Sequence, residues 1–516
     1  MLLLERSDLA SGASGANSGM IHGGPRYMLS DRRVTALAAT DAGHVHRIAP
    51  HLLSRIPFLY PFSSAAAAPS LVERATWYAT EVFFGAYDRY QPLKRGQPSV
   101  RLSAEELYRL EPGLAPGLHG AVTFDEWGID PQRLCVLNAL AARGHGAEVR
   151  TWTEARQVLR QDGRVTGVRW LDRITGQAGE ARAPVVVNAT GAWSPAFARR
   201  QGTTVRMRPG KGVHLTLDRR WSDHAVVCTA VDGRQMFVYP HGQESWIGTT
   251  DDDYFGDPDD LDATHDEVEY LISAVERLVP DIRRARVTRA WCGARTTLDG
   301  WGVNEDALSR EHEIVEHDAE GAAGLLSFVG GKLASYRAQS EELTDRIFQR
   351  LGRPAPPCRT HQVALPGGEA VPPAEALAAA HRISPLVAAR LVARHGARAA
   401  EVLRLCDEDP RLRLLVCREE GVLAAEVVFC ARTELVRRLR DLRTRCHLTT
   451  GACGGLDCAR LAAQLTGREL GWSAEQVQAE LADLLAVGWR ERRPVLAGAQ
   501  LAQEELLRGA HWGVAP

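Results

Sequence analysis

Residues 353–373 place the tightest constraint on how this chain can fold. Six prolines and two glycines fall within this stretch. Proline lacks a backbone N–H and fixes φ, so neither a helix interior nor a central strand can run through it. We therefore predict a linker at 353–373, between a first part formed by residues 1–352 and a C-terminal helical cap domain formed by residues 374–516.

The hydrophobic pattern differs on the two sides of this linker. Before it, β-like runs alternate with helical segments, which indicates an α/β or mixed α+β fold; after it, apolar residues recur at three- and four-residue spacing. Residues 62–70 are of low complexity and predict a loop. The expected strands are 2–4, 185–188, 213–217, 236–239, 246–249 and 325–329. The expected helices are 31–48, 131–143, 264–278, 335–351, 374–394, 423–442, 458–465 and 474–485.

Composition excludes several classes of function. The 516 residues carry a net charge of −2, which argues against nucleic acid as a partner. No stretch approaches the roughly 18–20 apolar residues of a membrane-spanning helix, and the start lacks the features of a signal peptide. We therefore expect a cytoplasmic protein. Its ten cysteines are then expected to be reduced thiols.

Small residues collect where the predicted strands end. Glu5 follows an apolar strand, the place where an acidic residue accepts hydrogen bonds from a ribose in dinucleotide-binding units. Segment 11–19 is dense in glycine, alanine and serine, which brings backbone N–H groups close to an anion. Gly330 and Gly331 precede a predicted helix, a place suited to an anion or a polarised carbonyl. Each segment alone is more often a plain turn, but together they point to one site. The further segments of this kind are 20–27, 185–193 and 247–251.

Taken together, these segments resemble the FAD-dependent glycerol-3-phosphate dehydrogenases of the respiratory, quinone-linked kind. The resemblance runs through nearly the whole chain. It implies a Rossmann-like FAD/NAD(P)-binding domain of the DAO type, with an inserted β-rich substrate domain and the all-helical cap. The FAD-binding segments are then about 1–60, 120–200 and 290–352, and the substrate-domain segments about 61–119 and 201–289. The motifs that carry the resemblance are 4–14, 21–27, 187–193, 211–214, 247–251, 293–295 and 330–337.

The resemblance also implies which residues bind the cofactor, FAD. Glu5 is expected at the ribose, the small-residue loop at the pyrophosphate, and the His-Gly-Gly motif at the isoalloxazine. The segment after the strand at 325–329 is expected along the pyrimidine edge of the flavin. The full set of expected cofactor-binding residues is Glu5, Ser11, Gly12, Ser14, His22, Gly23, Gly24, Ala189, Gly191, Gly331, Lys332 and Leu333.

The chemistry of glycerol 3-phosphate agrees with further residues. Its phosphate needs forked cationic donors, which arginine supplies best. The resemblance implies Arg26, Tyr27, Arg295 and Arg310 as substrate-binding residues. Oxidation at C2 removes a hydroxyl proton, so a base near neutrality is wanted, and His214 is the candidate. The alternative for His214 is a polar strand residue bonded to the backbone. Arg295 and Lys332 complete the expected catalytic set.

The chain departs from the family pattern at three places. Pro25 stands where the family usually has leucine, and Thr296 where it usually has proline. The Gly-x-Gly-x-x-Gly turn expected roughly 20 residues before the acidic residue is absent, because the chain begins at Met1. We therefore expect this chain to bind FAD weakly and an N-terminally extended form to bind it well. Equal flavin content in the two forms would refute this expectation.

The cap contains a cysteine motif that the function does not require. The spacing of Cys453 and Cys458 could ligate a metal, and the anaerobic branch of the family carries an iron–sulfur-type motif with Cys-x-Cys upstream. Here the upstream piece reads Cys417-Arg418-Glu419, so one thiolate is missing. Cys430 or Cys446 could substitute. We expect buried reduced thiols and no metal.

Other interpretations stay open. An oxidoreductase of the same type could act on an amine or another hydroxy acid, since a carboxylate would also satisfy one arginine. A flavin-free pseudoenzyme is the non-enzymatic alternative. The resemblance implies quinone or another electron acceptor, and peripheral contact with the inner face of the cytoplasmic membrane; it leaves a homodimer open. Segment 77–84 is the candidate membrane contact, with core packing as its alternative.

Overall fold

The computed structural model describes residues 1–25, 28, 32–63, 70–89, 93, 95–300, 302 and 311–512. The strands of the first part are β1 Leu2–Leu4, β2 Leu53–Ser63, β3 Arg101–Ser103, β4 Leu118–Ile129, β5 Glu148–Arg150, β6 Thr153–Gln161, β7 Arg164–Asp172, β8 Ala178–Arg182, β9 Val186–Asn188, β10 Gly210–Leu217, β11 Ala225–Thr229, β12 Gln235–His241, β13 Glu244–Gly248, β14 Asp252–Asp253, β15 Val287–Arg295, β16 His312–Glu316 and β17 Leu325–Gly330. Its helices are α1 Arg32–Ile48, α2 Leu71–Arg89, α3 Ala104–Leu110, α4 Pro131–Gly144, α5 Ser194–Arg200, α6 His265–Glu276 and α7 Tyr336–Arg350.

The cap is helical apart from one short hairpin. Its helices are α8 Ala374–His381, α9 Pro385–His395, α10 Ala399–Glu408, α11 Ala424–Thr433, α12 Leu442–Cys446, α13 Ala459–Leu470, α14 Ala474–Arg492 and α15 Gly498–Trp512. The hairpin pairs β18 Leu415–Cys417 with β19 Val422–Leu423. Helix α11 is buried from Ala424 to Ala431, as expected for a helix at the centre of a bundle. The predicted division of the chain into a mixed part and a helical part is confirmed.

A nine-stranded sheet forms the largest core of the first part. Its strands follow the order β14-β10-β13-β12-β11-β2-β4-β3, and β15 pairs with β10. Strand β10 is buried almost throughout, and α6 packs on this sheet through Leu271 and Val275. Two smaller sheets contain parallel pairs, β1 with β5 and β9 with β17. A third sheet is the antiparallel meander β6-β7-β8.

The predicted strands all exist, within a few residues of their expected ends, but two predicted cap helices are wrong. The helix expected over 374–394 breaks because Arg382 adopts φ +54° and Pro385 begins the next helix. The helix expected over 423–442 ends at Thr433, and Leu435 adopts φ +59°. Of the loop expected at 62–70, residues 62 and 63 belong to β2, and residues 64–69 lie outside the described chain.

Buried ion pairs join the cap to the first part. Arg133 of α4 bonds the carboxylate of Glu434 in the cap, and both side chains are fully buried. Arg445 pairs with Asp8 at 2.7 Å, with the arginine fully buried. These two buried arginines each have a partner in the other part of the molecule, so the two parts are fixed to each other through charges that cannot be left unpaired.

Candidate active site

The candidate site lies on one face of the antiparallel pair β10–β15. Register places Gly212 opposite Gly293 and His214 opposite Trp291. Because side chains alternate along a strand, Gly212 and His214 share a face of β10. Gly293, Trp291 and Arg295 share the corresponding face of β15. The intervening apolar residues Val213, Leu215 and Ala290 point into the core.

The small-residue loop covers this face. The N–H groups of Gly15 and Ala16 donate to the Gly12 carbonyl, so the loop turns tightly before it reaches the sheet. A Cβ at Gly293 would lie 2.4 Å from the Ala16 carbonyl oxygen, a distance that side chains never reach. Glycine at 293 is thus required for the loop to approach β15 this closely.

Loop and strands line a small, partly open cavity of about 70 Å³. Half of its wall residues end at Cα or Cβ, so a bound molecule meets backbone there. The polar groups converge from the other half. The residues that line it are Ala13, Ala16, Asn17, Ser18, Gly212, His214, Gly293 and Arg295.

His214 is buried and held in place by two neighbours. Its Nε2 shares a hydrogen bond with Ser18 Oγ at 2.8 Å, and its ring stacks on Trp291 with centroids 5.2 Å apart. Burial, helped by the positive charge of Arg295, lowers the pKa of His214 to about 3. The imidazole is therefore neutral at physiological pH. The alternative of a bond to backbone is not what the structure shows, and the expected pKa near neutrality is not found.

Arg295 reaches the cavity from the end of β15. Its guanidinium pairs with the carboxylate of Asp251 and donates from Nη2 to Thr249 Oγ1 and the Thr250 carbonyl, each at 3.0 Å. These contacts fix the plane of the guanidinium at the cavity wall. Since the side chain stays about one quarter exposed, it can also meet an anion from the cavity.

The expected cofactor residues near the N-terminus lie in and around the loop. Burial raises the pKa of Glu5, although the N–H of Ser7 donates to its carboxylate at 2.9 Å and opposes that shift. Ser11 Oγ donates to the Asp8 carbonyl at 2.6 Å. Gly12 faces the ring of Trp193, which a Cβ would approach to 3.2 Å. Ser14 lies in the same loop and is exposed.

Further expected cofactor residues lie on other elements. His22, Gly23 and Gly24 follow the buried Ile21, and a Cβ at Gly23 would lie 2.8 Å from the Tyr87 hydroxyl. Ala189 is exposed after β9, and Gly191 adopts φ +61° at the turn that leads to α5. This turn is ordered by the buried Asn188, which bonds Ser194 and Ser327.

Lys332 stands apart from the cavity. Gly331, Lys332 and Leu333 connect β17 to the turn before α7, and all three are partly buried. None of them lines the cavity that holds His214 and Arg295. The structure thus brings together two of the three expected catalytic residues. The expected substrate residues Arg26, Tyr27 and Arg310 lie outside the described residues.

Sequence reasoning assigned no role to three residues that shape the site. Ser18 bonds His214, Trp291 stacks on it, and Asp251 pairs with Arg295. Ser18 and Asp251 did lie in segments singled out for their small or polar residues. The role of Trp291 has a weaker signal, because only the strand register places it opposite His214.

The residues present fit the planar ring of a flavin. Ala13, Ala16, Gly212 and Gly293 leave flat backbone on the cavity walls. Nδ1 of His214 is buried and has no hydrogen-bond partner among the described residues, so the imidazole can still bond a ligand. Within the described ranges, no group of three or more His, Cys, Asp or Glu side chains is arranged to hold a metal ion. No helix in the described part of the chain is long and apolar enough to cross a bilayer.

Comparisons with known proteins identify the family of this chain. The model of the FAD dependent oxidoreductase family matches residues 1–337, and that of the C-terminal domain of alpha-glycerophosphate oxidase matches residues 358–477. One component of the anaerobic glycerol-3-phosphate dehydrogenase of Haloferax volcanii is 31% identical, over 99% of this chain and 85% of that protein. The corresponding component of the Escherichia coli K12 enzyme is 32% identical, over 100% of this chain and 92% of its own length.

A solved structure shows the same fold. The glycerol-3-phosphate dehydrogenase from Bacillus halodurans, complexed with FAD, superposes with a TM-score of 0.73 at 23% identity, covering 96% of this chain and 91% of that one. The expected DAO-type fold with a helical cap is confirmed, and so is FAD as the family's cofactor. The chain belongs to the FAD dependent oxidoreductases and, within them, to the glycerol-3-phosphate dehydrogenase family.

Proposed function

We propose that this chain oxidises sn-glycerol 3-phosphate to dihydroxyacetone phosphate. The observation that carries the proposal is the cavity in which a neutral His214 and a cationic Arg295 face flat glycine backbone. FAD, when bound, supplies the two-electron oxidation. The side chains of this chain bind the anion, orient C2 and take the hydroxyl proton.

Arg295 binds the phosphate in this proposal. A guanidinium offers five donors in a fixed fork, and the contacts to Asp251, Thr249 and Thr250 hold that fork at the cavity wall. A phosphate dianion would also compensate the guanidinium charge. Arg26, Tyr27 and Arg310 are proposed as further substrate contacts on the resemblance alone.

His214 takes the proton of the C2 hydroxyl. The ring is neutral before the substrate enters, so it has a lone pair to accept a proton. Burial is the main cause of the low pKa of His214, and the positive charge of Arg295 adds to it; a bound phosphate would offset that added part. Substrate binding therefore raises the basicity of His214 at the moment it is needed. The Ser18 hydroxyl keeps the ring oriented. Lys332 is proposed as an additional positive charge beside the cofactor.

Product analysis with an artificial electron acceptor tests the proposal. The purified chain, supplied with FAD, is incubated with glycerol 3-phosphate and a reducible dye, and dihydroxyacetone phosphate is assayed. Glycerol, glycine and lactate serve as comparison substrates. Product from glycerol 3-phosphate alone supports the proposal, whereas turnover of glycine or lactate in its place would assign the site to an amine or hydroxy acid.

We also propose that quinone is the acceptor and that α2 contacts the inner face of the cytoplasmic membrane. Leu71, Val72, Tyr78 and Val82 of α2 are 54–84% exposed, an apolar stripe that a bilayer would cover. Within the segment 77–84, Tyr78 and Val82 are exposed and available for a membrane contact, whereas Phe84 is buried in the core. Val82→Glu should reduce co-sedimentation with anionic vesicles, whereas Leu386→Glu, at an exposed site on α9, should not.

A homodimer stays a prediction, which light scattering tests.

A further inference from the structure

Aromatic side chains from four neighbouring strands meet on the face of the large sheet that carries His214. Register pairs His214 of β10 with Trp291 of β15 on one side and with Gly248 of β13 on the other. It also pairs Trp246 of β13 with Tyr239 of β12. Because side chains alternate along a strand, positions 246 and 248 of β13 point to the same side of the sheet. The rings of His214, Trp291, Trp246 and Tyr239 therefore share one face.

These rings contact each other in a row. The indole of Trp291 stacks on His214 and meets the ring of Trp246 edge-on, with centroids 4.7 Å apart. Trp246 in turn meets the ring of Tyr239 edge-on at a centroid distance of 6.1 Å. Since Trp246 and Tyr239 are buried, neither ring can move aside without disturbing the packed core.

The Tyr239 hydroxyl connects the far end of this row back to the imidazole. It donates to the Ser18 carbonyl at 2.8 Å, and the Ser18 hydroxyl shares the 2.8 Å hydrogen bond with Nε2 of His214. Burial raises the pKa of Tyr239, so its hydroxyl keeps its proton and stays a donor. The contacts thus form a closed ring that starts and ends at His214.

Gly248 and Trp291 confine the imidazole from the two flanking strands. A Cβ at Gly248 would lie 2.3 Å from Cδ2 of His214, so the ring rests directly on the backbone of β13. The loop that carries Ser18 reaches the same aromatic row, because a Cβ at Gly19 would lie 3.3 Å from the ring of Trp246. At Ser18 itself, the hydroxyl of Tyr239 ties the loop to the sheet.

We propose that Tyr239 is a positioning residue for His214 in the oxidation of glycerol 3-phosphate; this proposal rests on the function proposed above. By holding the Ser18 carbonyl, Tyr239 fixes the hydroxyl group that orients the imidazole. Tyr239 is not among the described residues that line the cavity, so it acts through Ser18 and His214. Its effect on the rate is indirect but large, since a misplacement of about 1 Å can cost about 10²-fold.

Tyr239→Phe tests the proposal, because it removes the hydroxyl and keeps the ring that packs on Trp246. With the full-length, FAD-supplied protein, glycerol 3-phosphate and a reducible dye, we expect kcat to fall about 5–50-fold. KM should change by less than about twofold, because Arg295 is untouched. Tyr108→Phe is the matched control and should leave kcat unchanged: the Tyr108 hydroxyl, on α3, also donates to a backbone carbonyl at 2.8 Å.

Two further readouts separate positioning from general damage. In a His214→Asn background, Tyr239→Phe should lower kcat by less than about twofold, because no imidazole is left to position. In NMR spectra of protein with isotope-labelled histidine, the ring signal of His214 is the one that His214→Asn removes. This signal should shift in Tyr239→Phe and stay in place in Tyr108→Phe.

The result for His214→Asn alone distinguishes failure of this proposal from failure of the proposed function. If His214→Asn lowers kcat, the proposal is overturned by an unshifted ring signal in Tyr239→Phe, by an unchanged kcat of that variant, or by the same fold-loss in both backgrounds. If His214→Asn leaves kcat unchanged, the proposed base is wrong, and the ring signal alone decides whether Tyr239 positions the imidazole.

Discussion

The protonation state of His214 depends on its burial and on the charge of Arg295, a residue far away in the chain. The sequence suggested a base with a pKa near neutrality, but burial, with a further contribution from the positive charge of Arg295, lowers the pKa of His214 to about 3. A charged imidazole would be poorly solvated there, so the neutral form is favoured. The sequence was enough to predict His214 as the candidate base. Its protonation state depends on contacts that only the fold creates.

Replacement of His214 tests its role as base. His214→Asn keeps a polar side chain on β10, and we expect kcat to fall by about 10²–10⁴-fold, the usual contribution of a general base. Flavin content should stay unchanged. Steady-state kinetics provide the measurement, with His145→Asn, at the exposed end of α4, as the matched control. A fall below threefold would exclude His214 as the base.

Replacement of Arg295 tests phosphate binding. Arg295→Lys keeps the charge but loses the fork, so we expect KM for glycerol 3-phosphate to rise about 10–100-fold, the equivalent of one or two charged hydrogen bonds. Arg109→Lys, on the exposed face of α3, is the matched control. An unchanged KM would place the phosphate at other residues.

The remaining site residues could not be read from local sequence. Ser18 and His214 are separated by 196 positions, and Arg295 and Asp251 by 44. Such pairs depend on how the loop crosses the sheet and on the β10–β15 register. Glycines at 212 and 293 allow that approach, but in the sequence each of them is compatible with an ordinary turn.

At the scale of elements, periodicity predicted where helices lie better than where they end. Helix α4 was expected at 131–143 and runs over Pro131–Gly144, because Asp130 caps it and Pro131 starts it. The end of α11 was missed. There Glu434 turns toward Arg133 of α4, a contact 301 residues away in the chain. That end coincides with a tertiary ion pair and with the positive φ of Leu435, neither of which local propensity reveals.

The contact between α4 and the cap should be essential for stability. Glu434→Gln leaves Arg133 buried without its counter-charge, so we expect the free energy of unfolding to fall by about 3–5 kcal/mol. Chemical denaturation provides the measurement. Glu105→Gln breaks the exposed pair with Arg109 on α3 and should cost less than about 0.5 kcal/mol. Equal effects of the two variants would contradict the account.

At the scale of the whole molecule, the domain boundary at 353–373 stays a prediction, and the order of the nine-stranded sheet was beyond sequence reasoning. Strand β2 pairs in parallel with β11, so that Leu59 lies beside Val226. Partners so far apart in the chain leave no local signal, because strand pairing is decided by packing of both faces. The segmentation of residues 1–352 into FAD-binding and substrate parts stays a prediction.

Acid should destabilise the folded chain. Burial lowers the pKa of six histidines, so the unfolded chain binds more protons than the native one as the pH falls below about 6.5. Raised carboxyl pKa values act in the opposite sense but are fewer. The histidines are His44, His51, His214, His241, His395 and His447. The carboxyl groups are Glu5, Glu244 and Asp441.

We therefore expect the melting temperature to fall by several degrees between pH 6.5 and 4.5, since the histidines outnumber the carboxyl groups. Scanning calorimetry across this range provides the measurement. His241→Asn removes an imidazole whose pKa is lowered to about 3, and should flatten the dependence. A melting temperature that rises on acidification would show that the carboxyl groups dominate.

The most direct test of the account is an absorbance spectrum of the purified chain with added FAD, taken without oxygen before and after glycerol 3-phosphate. The account predicts the bands of protein-bound oxidised flavin, which bleach with glycerol 3-phosphate but not with glycerol, because only the phosphate engages Arg295. Bound flavin that stays oxidised with glycerol 3-phosphate, or bleaches equally with glycerol, would contradict it.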